Sequence, residues 1–238
     1  MTSLREIFLV STPIGNIDDI SKRAVCVLTQ ADAIIAEDYR NAVKLLNRLS
    51  IPVSDKTIYE INEHNERKES TSLVEKLLFT HKTAVLISDS GTPVIADPGW
   101  LFTKTARSYG ITIRHVPGGN SVIGSLQISG LPADNFYYAG FLPRREDERR
   151  QKLREIRYIP STIIIMETPY RLRPLLQSIN KTFPPEKPIA ISFDITGTQE
   201  SLFTGTIREA AAKYSDNFKG KLNFVLMIDN TGSSFRRH

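Results

Sequence analysis

Thiols are almost absent: Cys26 is the single cysteine in 238 residues, which excludes an internal disulfide and any cysteine-cluster metal site. A reduced, cytosolic setting is the expectation. Long apolar runs are missing too, since nowhere do about 18 uncharged apolar residues follow one another. The opening MTSLREIFLVSTPIG carries too short an apolar stretch for a signal peptide. Secretion and membrane spanning are set aside. His64, His81, His115 and His238 are scattered, without the i, i+4 spacing or neighbouring cysteines of a metal site. No G-x-G-x-x-G, no G-x-x-x-x-G-K-[ST] and no G-x-S-x-G occurs, which removes the usual dinucleotide, nucleotide-hydrolysis and serine-hydrolase signatures.

What remains is the balance of an ordinary globular chain, 40% hydrophobic and 24% charged. Lysine and arginine exceed aspartate and glutamate by 31 to 26, a net charge of +5. A basic excess favours a polyanionic partner, nucleic acid first.

Short β-branched runs alternate with amphipathic segments. Ile7 to Val10, Ala33 to Ala36, Thr83 to Ser88 and Ile111 to Val116 read as buried strands. Between them Ile20 to Leu28, Asn41 to Leu49, Glu66 to Phe79 and Trp100 to Tyr109 read as helices. Strand and helix in alternation predict a mostly parallel sheet covered on both faces. A break falls at Pro117-Gly118-Gly119. The rhythm then resumes with Val122 to Ile128, Phe136 to Ala139, a charged helix from Glu146 to Ile156, Thr162 to Met166, Leu172 to Ile179, Ile189 to Phe193 and Leu222 to Ile228. The fold class is α/β, as two lobes with mostly parallel or mixed sheets, 1–117 and 118–238. Phe183 to Pro188 and Asp216 to Lys221 read as loops, and the tail from Gly232 to His238 as mobile.

Four loops follow strands of the first lobe, at the carboxyl edge where open α/β sheets bind ligands. They are Ser11 to Asn16, Glu37 to Arg40, Asp89 to Gly99 and Pro117 to Ser121. Each alone is turn chemistry. The third is richer: Gly91 permits close backbone approach, Pro93 and Pro98 stiffen the path, and Asp89 and Asp97 stand near its ends, where they could equally be caps. In the second lobe Gly140-Phe141-Leu142-Pro143 and Glu167-Thr168-Pro169-Tyr170-Arg171 follow strands, with Arg171 about one turn into the next helix. The run Arg144 to Arg150 reads as a solvated helix face laced by Glu146–Arg150 and Glu148–Lys152 pairs.

Taken together and in order, FLVSTPIGNIDDIS, AEDYR, HNE at His64 to Glu66, ISDSGTPVIADPG, VPGGNS, SGLPADNF, GFLPR and ETPYR resemble the tetrapyrrole-methylase superfamily of S-adenosylmethionine-dependent methyltransferases. Within it they are most similar to the bacterial enzymes that 2′-O-methylate a cytidine ribose of small-subunit ribosomal RNA. The resemblance implies S-adenosyl-L-methionine as cofactor, bound in a cleft between two α/β lobes, and a homodimer. By position it assigns cofactor contacts to Pro13, Gly91, Thr92, Pro93, Ile95, Ser121, Val122, Phe141, Glu167 and Ala190. Three departures stand out: Tyr39 in place of a threonine, Ala139 in place of the glutamate before GFLP, and Phe193 to Gly197 in place of an Arg-Glu-Leu-Thr-Lys segment.

The expected reaction is attack of a ribose 2′-hydroxyl on the methyl carbon, in line with the departing sulfur. Glu37, Asp38, Asp97 and Glu167 are the candidate bases, and Arg40 and Arg171 the expected phosphate contacts of ribosomal RNA or the small subunit. Two alternatives stay open at this point: a small-molecule, tetrapyrrole-like acceptor on the same scaffold, and an RNA-binding module that keeps the fold without turnover.

Overall fold

The structure, a computed structural model, describes residues 4–215 and 221–232. The expected mobile tail beyond Gly232, with His238, and the expected loop from Asp216 up to Lys221 lie outside the described residues. The chain divides into two compact units, Met1–Asn120 and Ser121–His238.

The first unit holds five strands and four helices in alternation. In chain order these are β1 (Glu6–Val10), α1 (Lys22–Gln30), β2 (Ala33–Ala36), α2 (Tyr39–Arg48), β3 (Thr57–Glu60), α3 (Glu66–Thr80), β4 (Ala84–Ile87), α4 (Trp100–Ser108) and β5 (Thr112–Val116). Every strand pair is parallel, in the order β3-β2-β4-β1-β5. The two-residue period decides which side chain meets which layer. Ile7, Ala33, Ile35, Ala84 and Leu86 pack with Leu73, Val74 and Leu77 of α3 and Phe102 and Ala106 of α4. Their neighbours Val10, Ile34, Ala36, Val85 and Ile87 pack with Ala24 and Leu28 of α1 and Ala42 and Leu46 of α2. With both faces covered and all strands parallel, every strand ends on the same edge, so all the ligand-type loops of this unit are gathered there.

The second unit is mixed. It contains α5 (Ser121–Ser129), β6 (Phe136–Phe141), α6 (Glu146–Ile156), β7 (Thr162–Glu167), α7 (Leu172–Asn180), β8 (Pro188–Phe193), β9 (Ser201–Thr206), α8 (Ile207–Lys213) and β10 (Phe224–Asp229). The sheet order is β6-β7-β10-β8-β9, with β6 and β7 parallel and the other pairs antiparallel. Helices α6, α7 and α8 cover one face through residues such as Leu153, Leu175, Ile179 and Ala210. Helix α5 packs on the other through Val122 and Leu126, against Ile164, Ala190, Val225 and Met227.

Sequence periodicity does not reveal β3 and β9, for one reason. Both are edge strands with only partial burial, TIYE and SLFTGT, so neither presents the apolar run that marks a central strand. Helix α8 is short and is announced instead by its start: the Thr206 hydroxyl accepts from the Glu209 amide and the Glu209 carboxylate accepts from the Thr206 amide, a capping box. The charged segment from Arg144 does form a helix, yet the i, i+4 pairs expected on it are not its ion pairs. Arg145 pairs with Asp147 at 3.0 Å and Glu148 at 3.4 Å, Lys152 with Glu155 at 3.3 Å, and Lys181 with Glu146 at 3.3 Å. Arg149, expected at the surface, is buried.

Candidate active site

Three loops at the carboxyl edge of the first sheet are tied into one body. The Thr12 amide donates to the Gly91 carbonyl at 2.8 Å, and the Gly91 amide donates to the Thr12 hydroxyl at 3.0 Å. The Thr92 hydroxyl donates to the Gly119 carbonyl at 3.0 Å and accepts from the Asn120 side-chain amide at 3.1 Å. These loops leave strands β4, β1 and β5, which are neighbours in the sheet, so backbone must pass close to backbone. A Cβ at Gly118 would lie 2.9 Å from the Ser11 carbonyl oxygen, and one at Gly119 2.9 Å from that of Thr12. The glycines of SGTP and PGGN are therefore used first by the neighbouring loops of the protein itself.

Gly91 illustrates the point and corrects the sequence reading. Its φ is +89°, and a Cβ there would sit 3.0 Å from the Ile14 Cγ2 and 3.5 Å from the Gly119 oxygen. The space a side chain would take belongs to the protein itself, not to a ligand alone. Gly91→Val should lower the free energy of unfolding by about 2–4 kcal/mol, combining left-handed backbone strain with overpacking. Urea titration reads this directly; an unchanged midpoint would show that Ile14 moves aside without cost.

Beyond Gly91 the segment is strained. Val94 at φ 75° and Ala96 at φ 68° hold left-handed conformations that side-chain-bearing residues rarely adopt. Its far end is anchored by a residue that sequence reading noticed only as part of HNE. The Glu66 Oε1, buried at the start of α3, accepts from the amides of Gly99 and Leu101 at 2.8 Å each and of Phe102 at 3.3 Å. It thereby caps α4 from another helix. The loop is held at both ends, and Ile95 and Ala96 between them are exposed.

The candidate bases separate by what each already holds. Asp38 is a helix cap: its Oδ1 accepts from the Asn41 amide at 3.0 Å and starts α2. One of its two carboxylate oxygens therefore has a structural duty. Glu167 lies in the second unit, its side chain fully buried, with Oε2 3.1 Å from the Arg171 Nη2 and Oε1 accepting from the Thr168 amide at 2.8 Å. Glu37 and Asp97 remain, both partly buried at the loop edge of the first sheet. Burial first, then the charges of Asp97 and Asp89, push the Glu37 carboxyl up to about 7, even though the Asp89 amide donates to it. Burial likewise raises Asp97 to about 6, with the Asp89 charge adding and a hydrogen bond from Ser88 opposing. Two acids with ordinary pKa values of about 4 thus titrate near neutrality. Asp89 itself is exposed, and its Oδ2 accepts from the Asn41 side-chain amide at 2.7 Å.

In the second unit the expected contacts have mixed fates. Phe141 is the last residue of β6 and half exposed; the register shift between Tyr138 and Gly140, with Gly140 at φ 66°, aims it. The strand thus runs through Gly140 and Phe141 rather than ending before them. Ser121 opens α5, half-buried. Ala190 has no exposed surface, its methyl being enclosed with Val122, Ile164, Val225 and Met227, and both its neighbouring strands pair with it. Val122 is buried as well.

Arg171 is corrected as well. It belongs to a short 3₁₀ turn ahead of α7, and its guanidinium donates to the carbonyls of Leu142 at 3.3 Å and Pro143 at 2.9 Å while pairing with Glu167. Arg149 joins from α6, donating to the Arg144 carbonyl at 2.8 Å and the Ser178 hydroxyl at 3.0 Å. Two arginines clamp the GFLPR loop from inside. Arg40, by contrast, is exposed on α2. At the departure noted above, the Phe193 ring lies 5.5 Å from that of Tyr214 and 6.1 Å from that of Phe224, so it belongs to an apolar cluster.

A cavity of about 250 Å³ lies wholly in the first unit, between the Thr12–Ile17 loop and α2, lined also by Asp89 and Ser90. Among the described residues no group of three or more histidine, cysteine, aspartate or glutamate side chains could hold a metal, and no helix is long and apolar enough to cross a membrane.

With this geometry in place, the comparisons with known proteins decide the family. The sequence profile of the Tetrapyrrole (Corrin/Porphyrin) Methylases matches residues 6–211. The chain belongs to this family. It is a methyltransferase of the tetrapyrrole-methylase fold, and the strained Gly91–Gly99 loop is part of what the family profile spans. The Ribosomal RNA small subunit methyltransferase I of Halalkalibacterium halodurans is 35% identical over 95% of this chain and 76% of that protein. The protein of the same name in Escherichia coli O157:H7 is 34% identical over 94% and 77%. Solved structures share the fold at lower identity. Diphthine synthase superposes with a TM-score of 0.70 at 13% identity, covering 93% of this chain and 88% of its own. Uroporphyrin-III C-methyl transferase from Thermus thermophilus complexed with S-adenyl homocysteine superposes at 0.61 and 17%, covering 93% and 96%.

Proposed function

We propose that this methyltransferase transfers a methyl group from S-adenosylmethionine to the 2′-hydroxyl of a cytidine in small-subunit ribosomal RNA. Glu37 and Asp97, carboxyls raised to about 7 and about 6 at the loop edge of the first sheet, support a reaction in which a proton must be removed. A hydroxyl nucleophile has a proton to lose, and a base is most effective when its pKa lies near the working pH. The relatives named for small-subunit ribosomal RNA, and the net charge of +5, support RNA as acceptor.

The residues present fit the cofactor. Val94, Ile95 and Ala96 form a turn that presents backbone and apolar surface rather than charge, which suits a neutral nucleoside and a sulfonium that needs oriented dipoles and little water. Pro13, Gly91, Thr92, Pro93 and Ile95 of the first unit are the proposed contacts. The cofactor supplies an electrophilic methyl group; the chain's own work is to align the acceptor with it and to take the proton. Alignment alone is worth roughly 7–11 kcal/mol in well-oriented systems. Glu37 is the proposed base, with Asp97 and Asp89 setting its affinity for the proton. The chain is proposed to act as a homodimer in the cytoplasm.

Incubation with labelled S-adenosylmethionine and, in parallel, unmodified small subunits, naked ribosomal RNA and small-molecule extract should label a cytidine ribose in one of the RNA fractions. Label confined to the small-molecule fraction would establish a tetrapyrrole-like acceptor instead. No label in any fraction, with RNA still bound, would make the chain a binding module.

A further inference from the structure

Helix α2 carries three exposed cations at four-residue intervals, Arg40, Lys44 and Arg48. At 100° per residue they fall within about 80° of the helix circumference and about 6 Å apart along its axis. The opposite side of the helix is committed to the core through Ala42 and Leu46, so the basic stripe faces outward of necessity. None of the three makes an ion pair among the described residues, although the same helix surface offers Asn41 and Asn47 as neutral neighbours.

The stripe borders the 250 Å³ cavity. Lys44 and Arg48 form part of one wall with Asn41 and Leu45, the Thr12–Ile17 loop forms the other, and Asp89 and Ser90 close the end. The polarity runs along the cavity: two cations on the wall, then at the end Asp89, whose Oδ2 accepts from Asn41 and whose amide donates to Glu37. A phosphodiester with its adjacent ribose has the complementary polarity, anionic at the phosphate and a proton donor at the hydroxyl. The cavity lies just under the roughly 300–1,000 Å³ of drug-sized sites. Its size suits one ribose-phosphate unit.

We propose that this cavity is the acceptor-strand subsite: Lys44 and Arg48 hold the phosphodiester next to the methylated ribose, Arg40 holds the neighbouring phosphate, and the ribose hydroxyl points toward Asp89 and Glu37. The inference rests on the RNA reading given above and adds to it the residues that position the strand. Arg40 belongs to the AEDYR segment, whereas Lys44 and Arg48 follow it, and only the helix brings the three into line.

The test measures binding of a fluorescein-labelled twelve-nucleotide oligoribocytidylate by anisotropy as salt is raised, for wild type, Lys44→Gln, Arg48→Gln, the double variant, Arg48→Lys, and Lys104→Gln. Lys104 is an exposed residue of α4, on the opposite face of the first sheet, and serves as a control of equal charge change. Each single variant should bind about tenfold more weakly at low salt, with a log–log salt slope smaller by about one, and the double variant should lose about two. Arg48→Lys should keep the slope, and Lys104→Gln should match wild type. Calorimetry with S-adenosylmethionine should show all variants unchanged, which separates a strand contact from a folding defect. Wild-type RNA affinity and slope in the double variant, or an equal loss in Lys104→Gln, would overturn the subsite while leaving the RNA reading intact. Failure of wild type to bind either the oligonucleotide or small subunits would overturn both.

Discussion

Glu37→Gln should lower kcat on unmodified small subunits by about 10²–10⁴, the range a positioned general base supplies, while binding of S-adenosylmethionine stays near wild type. The two side chains are nearly isosteric, so the loss reports the proton acceptor and not the shape of the loop. The pH dependence gives an independent signature. With the Glu37 carboxyl held at about 7, the wild-type rate should climb through that value and level off above it, and Glu37→Gln should lose this limb. Asp97→Asn should act differently. It removes one of the charges that raise Glu37, so the ascending limb should move to lower pH. Stability carries the same information with a defined sign. A carboxyl raised by the fold binds its proton more tightly in the folded than in the unfolded chain. Its stabilising contribution is therefore complete below its ordinary value of 4.5 and is lost as pH rises toward about 7. Wild type should lose stability relative to Glu37→Gln between pH 5 and pH 8. Full activity in Glu37→Gln would move the base to Asp97 or to the substrate itself.

Arg171→Ala should destabilise the second unit by about 3–5 kcal/mol, because it strands the Glu167 carboxylate, whose side chain is fully buried beside it. It also frees the carbonyls of Leu142 and Pro143 from their guanidinium donor. Denaturant unfolding of the four members of a double-mutant cycle with Glu167→Gln separates these effects. If the stranded charge dominates, adding Glu167→Gln should return a large part of the loss, whereas loss of the loop contacts would persist in the double variant. The result also decides between two roles for this arginine. A phosphate contact predicts intact stability with weakened RNA binding; a clamp predicts the reverse order of effects, with any loss of activity following from displacement of Phe141 and its loop.

Much of the α/β pattern can be read from the residues because burial repeats with the period of each element. Ile7 and Val10, Ile34 and Ile35, Val85 and Leu86 are apolar on both sides, and such runs occur only where a sheet is covered on both faces. Strands β3 and β9 escape because an edge strand needs no such run. The family signature is legible for a related reason. The loop segments that carry it must satisfy one another's backbone at distances near 3 Å, as Gly118 with Ser11 and Gly119 with Thr12 do, and few residue types allow that.

The division of labour among charged side chains is where sequence stops. Glu37 and Asp38 are adjacent, yet one is a neutral-range acid and the other a helix cap, because a strand ends just before the pair and a helix begins just after it. Arg40 and Arg171 look alike in sequence, each at the end of a motif, but one faces outward from α2 while the other is turned inward onto Glu167 and the GFLP carbonyls. Glu66 reads as an ordinary first-turn carboxylate of α3 and in fact caps α4. By itself, then, the sequence determines the fold class, the order of the centrally buried strands and the longer helices, and the family, all of which follow from local patterns of apolarity and of glycine and proline. Only the tertiary structure decides which acids share a field, which cations are already paired and which line a cavity, because charge interactions act through space between residues dozens of positions apart, and no local spacing encodes that distance.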